Sequence, residues 1–389
     1  MPELRLHPNI QFIYELVLAE RELEAMGVKA RVSADLRTFE APSLEDAAQL
    51  RRRLAYFQTV DGELADYHHI QAANRTRSIN QYLTHWIYPY KGKYHPQMIR
   101  AFFNILRLEP GATVLDPFIG SGTTAVEASL LGLRTIGVDV SPLCVLISSV
   151  KSQAVQVVDR LRDIRSQLWM QISAEEVERL SKDGDDPRVR QFFRLLACVT
   201  ESDVARRGRD PHRSLVANLD RMLGSVEDFE RVASTLGLTL GPAEIRQGDA
   251  RRLELPDCSV DAVVTSPPYS IALDYVANDA HALEALGYDL GHIKQDFIGV
   301  RGTGRKRFQI YNDDMRQAYA EMFRVLKPGA GAVIVLGNVT LDGEEIDTTG
   351  ECVRACRDAG FEFQGQIDKI IFGLYSIMQK EYVLFFRKP

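Results

Sequence analysis

The sequence predicts an α/β protein built on a mostly parallel, doubly wound sheet with an antiparallel end, and three observations carry that reading. Four apolar, β-branched runs each end in a turn signal: ATVLDPF from Ala112, RTIGVDV from Arg134, VDAVVTSPPY from Val260 and GAVIVLGN from Gly331. Their apolarity is continuous rather than alternating, as in strands covered on both faces. Helical patterns separate them, giving the β–α–β alternation of a parallel sheet.

The first run passes through a glycine-bearing turn into TTAVEASLLGL, a helical pattern with a glycine near its end, and then into the second run, making one βαβ unit. A helix through YNDDMRQAYAEMFRVLKPG, stopped by Pro328 and Gly329, leads into GAVIVLGN as another. After the helical stretch GECVRACRDAG, two strand-like runs, about 363–372 and 381–387, are placed to pair as a hairpin. Two regions stand outside this core. Residues 1–75 read as a small α/β cap, with an amphipathic helix in IQFIYELVLAERELEAMG, an extended segment near Lys29 to Phe39 and a helix in SLEDAAQLRRRLAYF. Residues 151–240 are helical, broken by the turns KDGDDP and ARRGRDP, and are too long for a loop, so they form an insertion. The doubly wound core is then 76–150 together with 241–389.

A chain of 389 residues holds one large domain with appendages or two ordinary ones. With 45% hydrophobic and 26% charged residues the composition is that of a soluble protein, and no apolar stretch approaches the roughly 18 residues needed to span a bilayer. The N-terminus MPELRLHPNI lacks a basic segment followed by an apolar run, so no secretory signal and a cytoplasmic location are expected. Five cysteines without a CxxC pair argue against a disulfide framework and a zinc ribbon, and no metal site is expected. Cys144, Cys198, Cys352 and Cys356 read as buried packing residues. A formal charge of −6 is unlike a uniformly basic nucleic-acid protein. Local arginine clusters remain: Arg51 to Arg53, Arg75 with Arg77, Arg206 with Arg207 and Arg209, and Arg301 with Arg305, Lys306 and Arg307.

DPFIGSGTT follows the first strand and opens a helix, the context in which a glycine-rich string means ligand binding. Gly120 and Gly122 allow close backbone approach, and the helix start beyond Ser121 and Thr123 offers unpaired N–H groups to an anion. The spacing is not GxGxxG, so a dinucleotide is not favoured. Asp139, with Val140 at the tip of the second strand, stands where a carboxylate accepts both ribose hydroxyls. Asp249, followed by Ala250 in GDA at the end of the third strand, is suited to an adenine amino group. With Asp116 and Phe118 at the end of the first strand, these acidic strand ends describe an adenosyl pocket.

TSPPY closes the fourth strand and so faces the same crevice, since open α/β sheets bind ligands beyond the carboxyl ends of their strands. Pro267 and Pro268 donate no ladder bonds and hold the chain extended, leaving the carbonyls of Ser266 and Pro267 aimed outward. A Ser266 hydroxyl and a Pro267 carbonyl that accept the two N–H bonds of an exocyclic amine direct its lone pair at a sulfonium methyl. Tyr269 offers a flat face for a flipped-out base. No Pro-Cys pair occurs at this strand end, so attack by a cysteine on ring carbon is not expected.

These residues resemble the S-adenosylmethionine-dependent amino-methyltransferases of DNA, and are most similar to the cytosine-N4-specific type, for which TSPPY is the typical spelling; adenine-N6 enzymes more often carry Asp at the Ser266 position. HWIYPYKGKYHPQMIRAFFNIL is similar to the family segment over the methionine end of the cofactor, which implies roles for Tyr94, His95 and Pro96. The likeness spans about residues 80–389, including LDYVANDAHALEALG and FGLYSIMQKEYVLFF, and implies that Tyr375 lies near the target base. It also implies a Rossmann-like seven-stranded sheet with its last strand antiparallel, S-adenosylmethionine as cofactor, DNA as partner and a cognate restriction endonuclease as a candidate companion. The alternatives are adenine N6, an RNA base, a protein amide, or a non-catalytic cofactor- or DNA-binding module. No separate sequence-reading domain follows TSPPY, so target recognition is assigned to the insertion, to the N-terminal region and to RGTGRKR, read as a loop that stays mobile until phosphate binds.

Overall fold

The computed structural model describes residues 1–389 apart from 91, 169–171, 269–274, 342–343 and 371–379. Its strands in chain order are β1 Glu3–Leu6, β2 Arg31–Val32, β3 Thr38–Glu40, β4 Phe57–Val60, β5 Glu63–Leu64, β6 Thr113–Asp116, β7 Arg134–Asp139, β8 Ala243–Gln247, β9 Val260–Thr265 and β10 Leu326–Gly337. They continue with β11 Val339–Leu341, β12 Glu344–Ile346, β13 Glu362–Ile370 and β14 Lys380–Arg387. Seven of them make one sheet in the order β13-β14-β10-β9-β6-β7-β8. The pairs from β10 through β8 are parallel, while β14 runs antiparallel to both β10 and β13. This is the expected doubly wound topology, with the last strand reversed and wedged between β10 and β13.

The alternation of side chains along each strand sends them to two faces. Leu115, Val263 and Ile334 pack toward the helix Gly304–Val325 and its neighbour Thr348–Asp358. Val114, Val264 and Val333 pack toward the helix Pro96–Ile105. On that second side the apolar cluster runs on without a break into Leu4, Leu18 and Phe57 of the N-terminal region. There β1–β5 form an antiparallel sheet, order β2-β3-β1-β4-β5, beside the helix Ile13–Ala25. The junction is polar as well as apolar. Buried Glu22 accepts from the Asn104 amide at 2.6 Å and from the Ala55 N–H at 2.8 Å, and Arg53 donates to the Asn104 side chain at 3.0 Å.

Four local expectations change. The segment SLEDAAQLRRRLAYF is helical only over Ala47–Arg53, and Phe57 enters β4, where its ring is buried against Phe39. β1, at the centre of the small sheet, was not anticipated, because four residues of ELRL carry too short an alternation to register. The helix before β10 is longer at its start and shorter at its end than Tyr311 to Gly329. Phe308 and Tyr311 extend the apolar stripe of Met315, Ala318, Met322 and Val325, and the chain turns extended at Leu326, with the KPG segment taken up in an irregular stretch of β10. RGTGRKR is therefore not a mobile loop: from Gly304 onward it is the first turn of that helix.

The insertion between β7 and β8 is helical as expected: Pro142–Gln153, Val158–Leu168, Ala174–Asp183, Pro187–Arg207 and Pro211–Thr235. The two predicted turns are its punctuation. Gly208 closes one helix in the left-handed region at φ 59°, and the Asp186 and Asp210 side chains cap the next ones, accepting from Arg188 N and Arg213 N. Among the described residues no helix is long and apolar enough to cross a membrane.

Candidate functional site

The carboxyl ends of β6 and β9 are tied together by one buried side chain. Asp116 has no exposed surface and accepts four hydrogen bonds: from Thr265 Oγ1 at 2.6 Å and Phe118 N at 3.1 Å on Oδ1, and from Thr124 Oγ1 at 2.6 Å and Tyr94 OH at 2.7 Å on Oδ2. Burial pushes its carboxyl pKa up, and the bonds from Thr124, Thr265, Tyr94 and Phe118 oppose that rise. These four donors come from the end of β9, the loop after β6, the first turn of the helix Thr123–Leu130 and the segment before Pro96. Thr265 immediately precedes Ser266, so Asp116 fixes the strand that carries TSPPY against the glycine loop.

That loop needs its glycines for two reasons. Gly120 has φ +49° and Gly122 φ +81°, backbone that side chains rarely adopt. A Cβ on Gly122 would also lie 2.8 Å from Ser148 of the helix Pro142–Gln153, so this glycine serves helix packing rather than a ligand. Gly120 N donates to Asp139 Oδ2 at 3.0 Å, and Ser141 N donates to Oδ1 at 2.9 Å, which aims the end of β7 at the loop. Burial pushes the Asp139 carboxyl up to about 6, against those two backbone bonds and with a further upward push from the Asp116 charge. Half-buried at the pocket wall, Asp139 keeps lone pairs for a ligand.

At the end of β8 the carboxylate is already paired. Arg251 grips Asp249 through Nε at 3.0 Å and a terminal nitrogen at 2.7 Å, and reaches buried Asp314 at 3.0 Å. Burial alone would raise the Asp249 pKa, but Arg251 and Arg301 hold it below the usual carboxylate range. Arg301 also pairs with Asp314, so the network runs from the pocket wall to the start of the basic segment. Arg307 donates to the Gly299 carbonyl at 2.6 Å, whereas Arg305 and Lys306 are exposed.

These pieces line one open cleft at the carboxyl edge of the sheet. Of the residues singled out in the sequence, Tyr94, Phe118, Gly120, Ser121, Thr123, Asp139, Val140, Asp249, Ala250, Ser266 and Pro268 line it. Asp116, Gly122 and the buried Pro96 and Pro267 stand behind the wall. His95 does not line it either: it precedes the helix Pro96–Ile105, its Nε2 accepts from the Asn80 amide at 2.5 Å, and burial pushes its pKa down to about 3. Tyr269 and Tyr375 lie outside the described residues.

The structure adds residues that sequence reasoning passed over. Tyr90, Gly92 and Lys93 line the cleft beside Tyr94, and Asp296, Phe297 and Ile298 close its far side. Lys93 donates to the His85 carbonyl at 2.5 Å and to Gln81 at 3.2 Å, and burial lowers its pKa to about 8. Tyr90, Gly92 and Lys93 lie inside the segment whose resemblance implied roles for Tyr94, His95 and Pro96, but YPYKGKY has no chemical pattern that singles them out, and QDFI carries no motif at all. Thr124 and Thr265 could have been found as hydroxyls beside a buried strand-end aspartate.

Residues 67–148 match the family model of a DNA methylase. The match takes in Tyr94, the glycine loop and Asp139, and ends before Ser266. A Type II methyltransferase, M.MjaII of Methanocaldococcus jannaschii, is 36% identical over 117 residues, which is 29% of this chain and 20% of that protein. Another, M.BsoBI of Geobacillus stearothermophilus, is 23% identical over 304 residues, 61% of this chain and 58% of that one. The chain thus spans from a fifth to somewhat over half of the length of these curated relatives. Among solved structures, a SAM-dependent methyltransferase of Methanosarcina mazei aligns with 72% of this chain and 94% of its own at 15% identity and a TM-score of 0.35. Residues 67–148 and the stretches shared with these Type II relatives are thus similar to amino-methyltransferases of the N4/N6 type.

Proposed function

We propose that the protein transfers a methyl group from S-adenosylmethionine to the exocyclic amino nitrogen of a base in DNA, cytosine N4 in preference to adenine N6. One observation carries the reading: Ser266 and Pro268 share a single cleft with Gly120, Asp139 and Asp249, so that a nucleoside-bearing donor and an amine acceptor meet at one sheet edge.

The residues present suit the cofactor. Gly120 allows close backbone approach, Asp139 has acceptor capacity for ribose hydroxyls, and Phe118, Val140, Phe297 and Ile298 offer apolar walls to a purine. S-adenosylmethionine supplies a methyl group made electrophilic by a sulfonium. The protein's part is positioning. The Ser266 hydroxyl at the cleft wall and the backbone carbonyl of Pro267, whose ring is buried behind that wall, accept the two amino N–H bonds, which turns the nitrogen lone pair toward the donor. Asp116 holds that strand end in place through Thr265. The proton leaves only after the new C–N bond forms, when the nitrogen has become strongly acidic, so no strong base is required. Ser266 in place of an aspartate favours cytosine.

The test is transfer of labelled methyl to separate DNA, RNA and protein pools, followed by nucleoside analysis. Label in DNA as N4-methylcytosine is expected, with Ser266→Ala losing most turnover. N6-methyladenine would correct the base, and label only in RNA or protein would overturn the reading.

A further inference from the structure

A second group of basic residues lies on the helical insertion, apart in sequence from Arg305 and Lys306. The helix Pro187–Arg207 and the helix Pro211–Thr235 of the insertion stand beside Tyr88, Val276 and Leu283, residues on either side of the catalytic motif in sequence, in one apolar cluster. Arg207 and Arg209, both more than half exposed, flank Asp203 at 3.0 and 3.4 Å. Arg221, exposed on the facing helix, lies within electrostatic reach of Asp203, Arg207 and Arg209. Two guanidiniums thus pair with one carboxylate and a third lies within electrostatic reach of it, in a chain whose formal charge is −6.

An aromatic ring joins this patch to the cleft. The Arg221 guanidinium stacks over Trp86 at 3.9 Å, and Trp86 Nε1 donates to Ser225 Oγ at 2.6 Å, fixing the ring. Four residues on, Tyr90 lines the cleft. The patch also stands high. The helix Pro211–Thr235 ends near the amino edge of the sheet, where Gly241 N bonds Ser129 O and Thr135 N bonds Pro242 O. Its 25 residues rise about 37 Å, whereas the 12-residue helix Pro142–Gln153 already crosses the sheet edge to edge in about 18 Å. The helix start, next to Arg207 and Arg209, is the end remote from the amino edge of the sheet, and Arg221 lies ten residues, about 15 Å, along from it.

We propose that Arg207, Arg209 and Arg221, with Trp86, form a phosphate-tracking face that holds the DNA backbone beside the cleft while base chemistry proceeds at Ser266. The proposal rests on the DNA reading above. Neutralised phosphates release counterions, so each contact adds a defined amount to the salt dependence of binding. Tyr90 and Trp86 lie on the path that a strand would follow from this face into the cleft.

The experiment compares wild type, Arg207→Ala with Arg209→Ala, and a control on the same insertion, Arg179→Ala with Lys182→Ala, which removes two charges paired to Glu176 and Glu178 on another helix. Binding of a fluorescent duplex is titrated from low to high salt, and cofactor affinity is measured by calorimetry as a check on folding. The Arg207/Arg209 pair is expected to flatten the log–log salt slope by roughly 1.8, about 0.9 per lost phosphate contact, and to raise KM for DNA on the order of tenfold. Cofactor affinity and the control are expected to match wild type. In a Trp169→Phe background, where Trp86 is the remaining tryptophan of two, duplex binding is expected to change its fluorescence. If wild type methylates DNA and the pair shows the control's slope and KM, the face is overturned and the function stands. If wild type methylates no DNA, the function itself falls.

Discussion

Strands β6 and β8 each end in an aspartate at the same edge of one sheet, and the two carboxylates are used in different ways. Asp116 is fully buried and meets only neutral donors, from β9, from its own loop, from the helix behind it and from Tyr94. Asp249 is half-buried and gripped by Arg251, which passes the linkage to Asp314 and on to Arg301. Asp139, at the end of β7 between them, is held by two backbone N–H groups and left open to the cleft. Position at a strand end brings a carboxylate to the site; its partners decide whether it builds the site or reads a ligand.

The sharpest way to break this contrast is to remove Asp116. Asp116→Ala leaves Thr265, Thr124, Tyr94 and Phe118 N pointing at a cavity, and unmet buried donors cost about 1–3 kcal/mol each before water or relaxation offsets part of it. A net loss of roughly 3–5 kcal/mol in urea unfolding is expected, with cofactor binding and methyl transfer both lost. Asp116→Asn is milder, at about 1–2 kcal/mol, because the Thr124 and Tyr94 hydroxyls can turn and accept from the new amide. A loss below about 1 kcal/mol for the alanine variant would show that Asp116 does not organise the site.

A smaller effect separates the reader from the paired residue. In its proposed role as acceptor of the ribose hydroxyls, Asp139 supplies charged hydrogen bonds worth about 1.5–3 kcal/mol, so Asp139→Asn is expected to raise cofactor Kd roughly 10- to 100-fold. Asp249→Asn keeps an acceptor toward the cleft and surrenders part of a half-exposed ion pair, worth on the order of 1 kcal/mol or less in stability. Its expected change in cofactor Kd is a few-fold. Equal losses in the two variants by calorimetry would erase the distinction drawn here.

Much of this was legible in the sequence, for identifiable reasons. Strands such as VDAVVT and GAVIVLG are buried on both faces, and continuous apolarity exposes them. The glycine loop and TSPPY could be placed because each follows such a strand. What stayed hidden is what depends on contacts between distant segments. Arg251 beside Asp249 reads as an ordinary GDAR turn until Asp314, 63 residues on, is brought to it. RGTGRKR looked like a loop because three cations at a helix start oppose the helix dipole, and the apolar stripe from Phe308 onward outweighs that opposition. The N-terminal region looked separable, yet Leu4 and Phe57 belong to the same apolar cluster as Val114 and Phe385.

The finest discrimination is by pH. Burial raises the Asp139 carboxyl from its ordinary 3.8 to about 6. A carboxyl raised in the folded state supports the ligand-free fold fully below about pH 4, and that support is lost as pH rises through 6. Ligand binding runs the other way, because only the ionised form accepts two ribose hydroxyls without keeping a proton of its own. Cofactor Kd is therefore expected to be flat above about pH 7 and to weaken as pH falls through 6, approaching tenfold per pH unit, while the Asp139 contribution to ligand-free stability grows over the same range. Asp139→Asn should remove both trends together, which acid effects on His7 or His95 would not do: those buried neutral imidazoles, lowered to about 3, cost stability as pH falls below their ordinary 6.5 in either protein. A Kd that stays constant from about pH 5 to pH 8 would mean that Asp139, like Asp116, holds the loop and does not read the ligand.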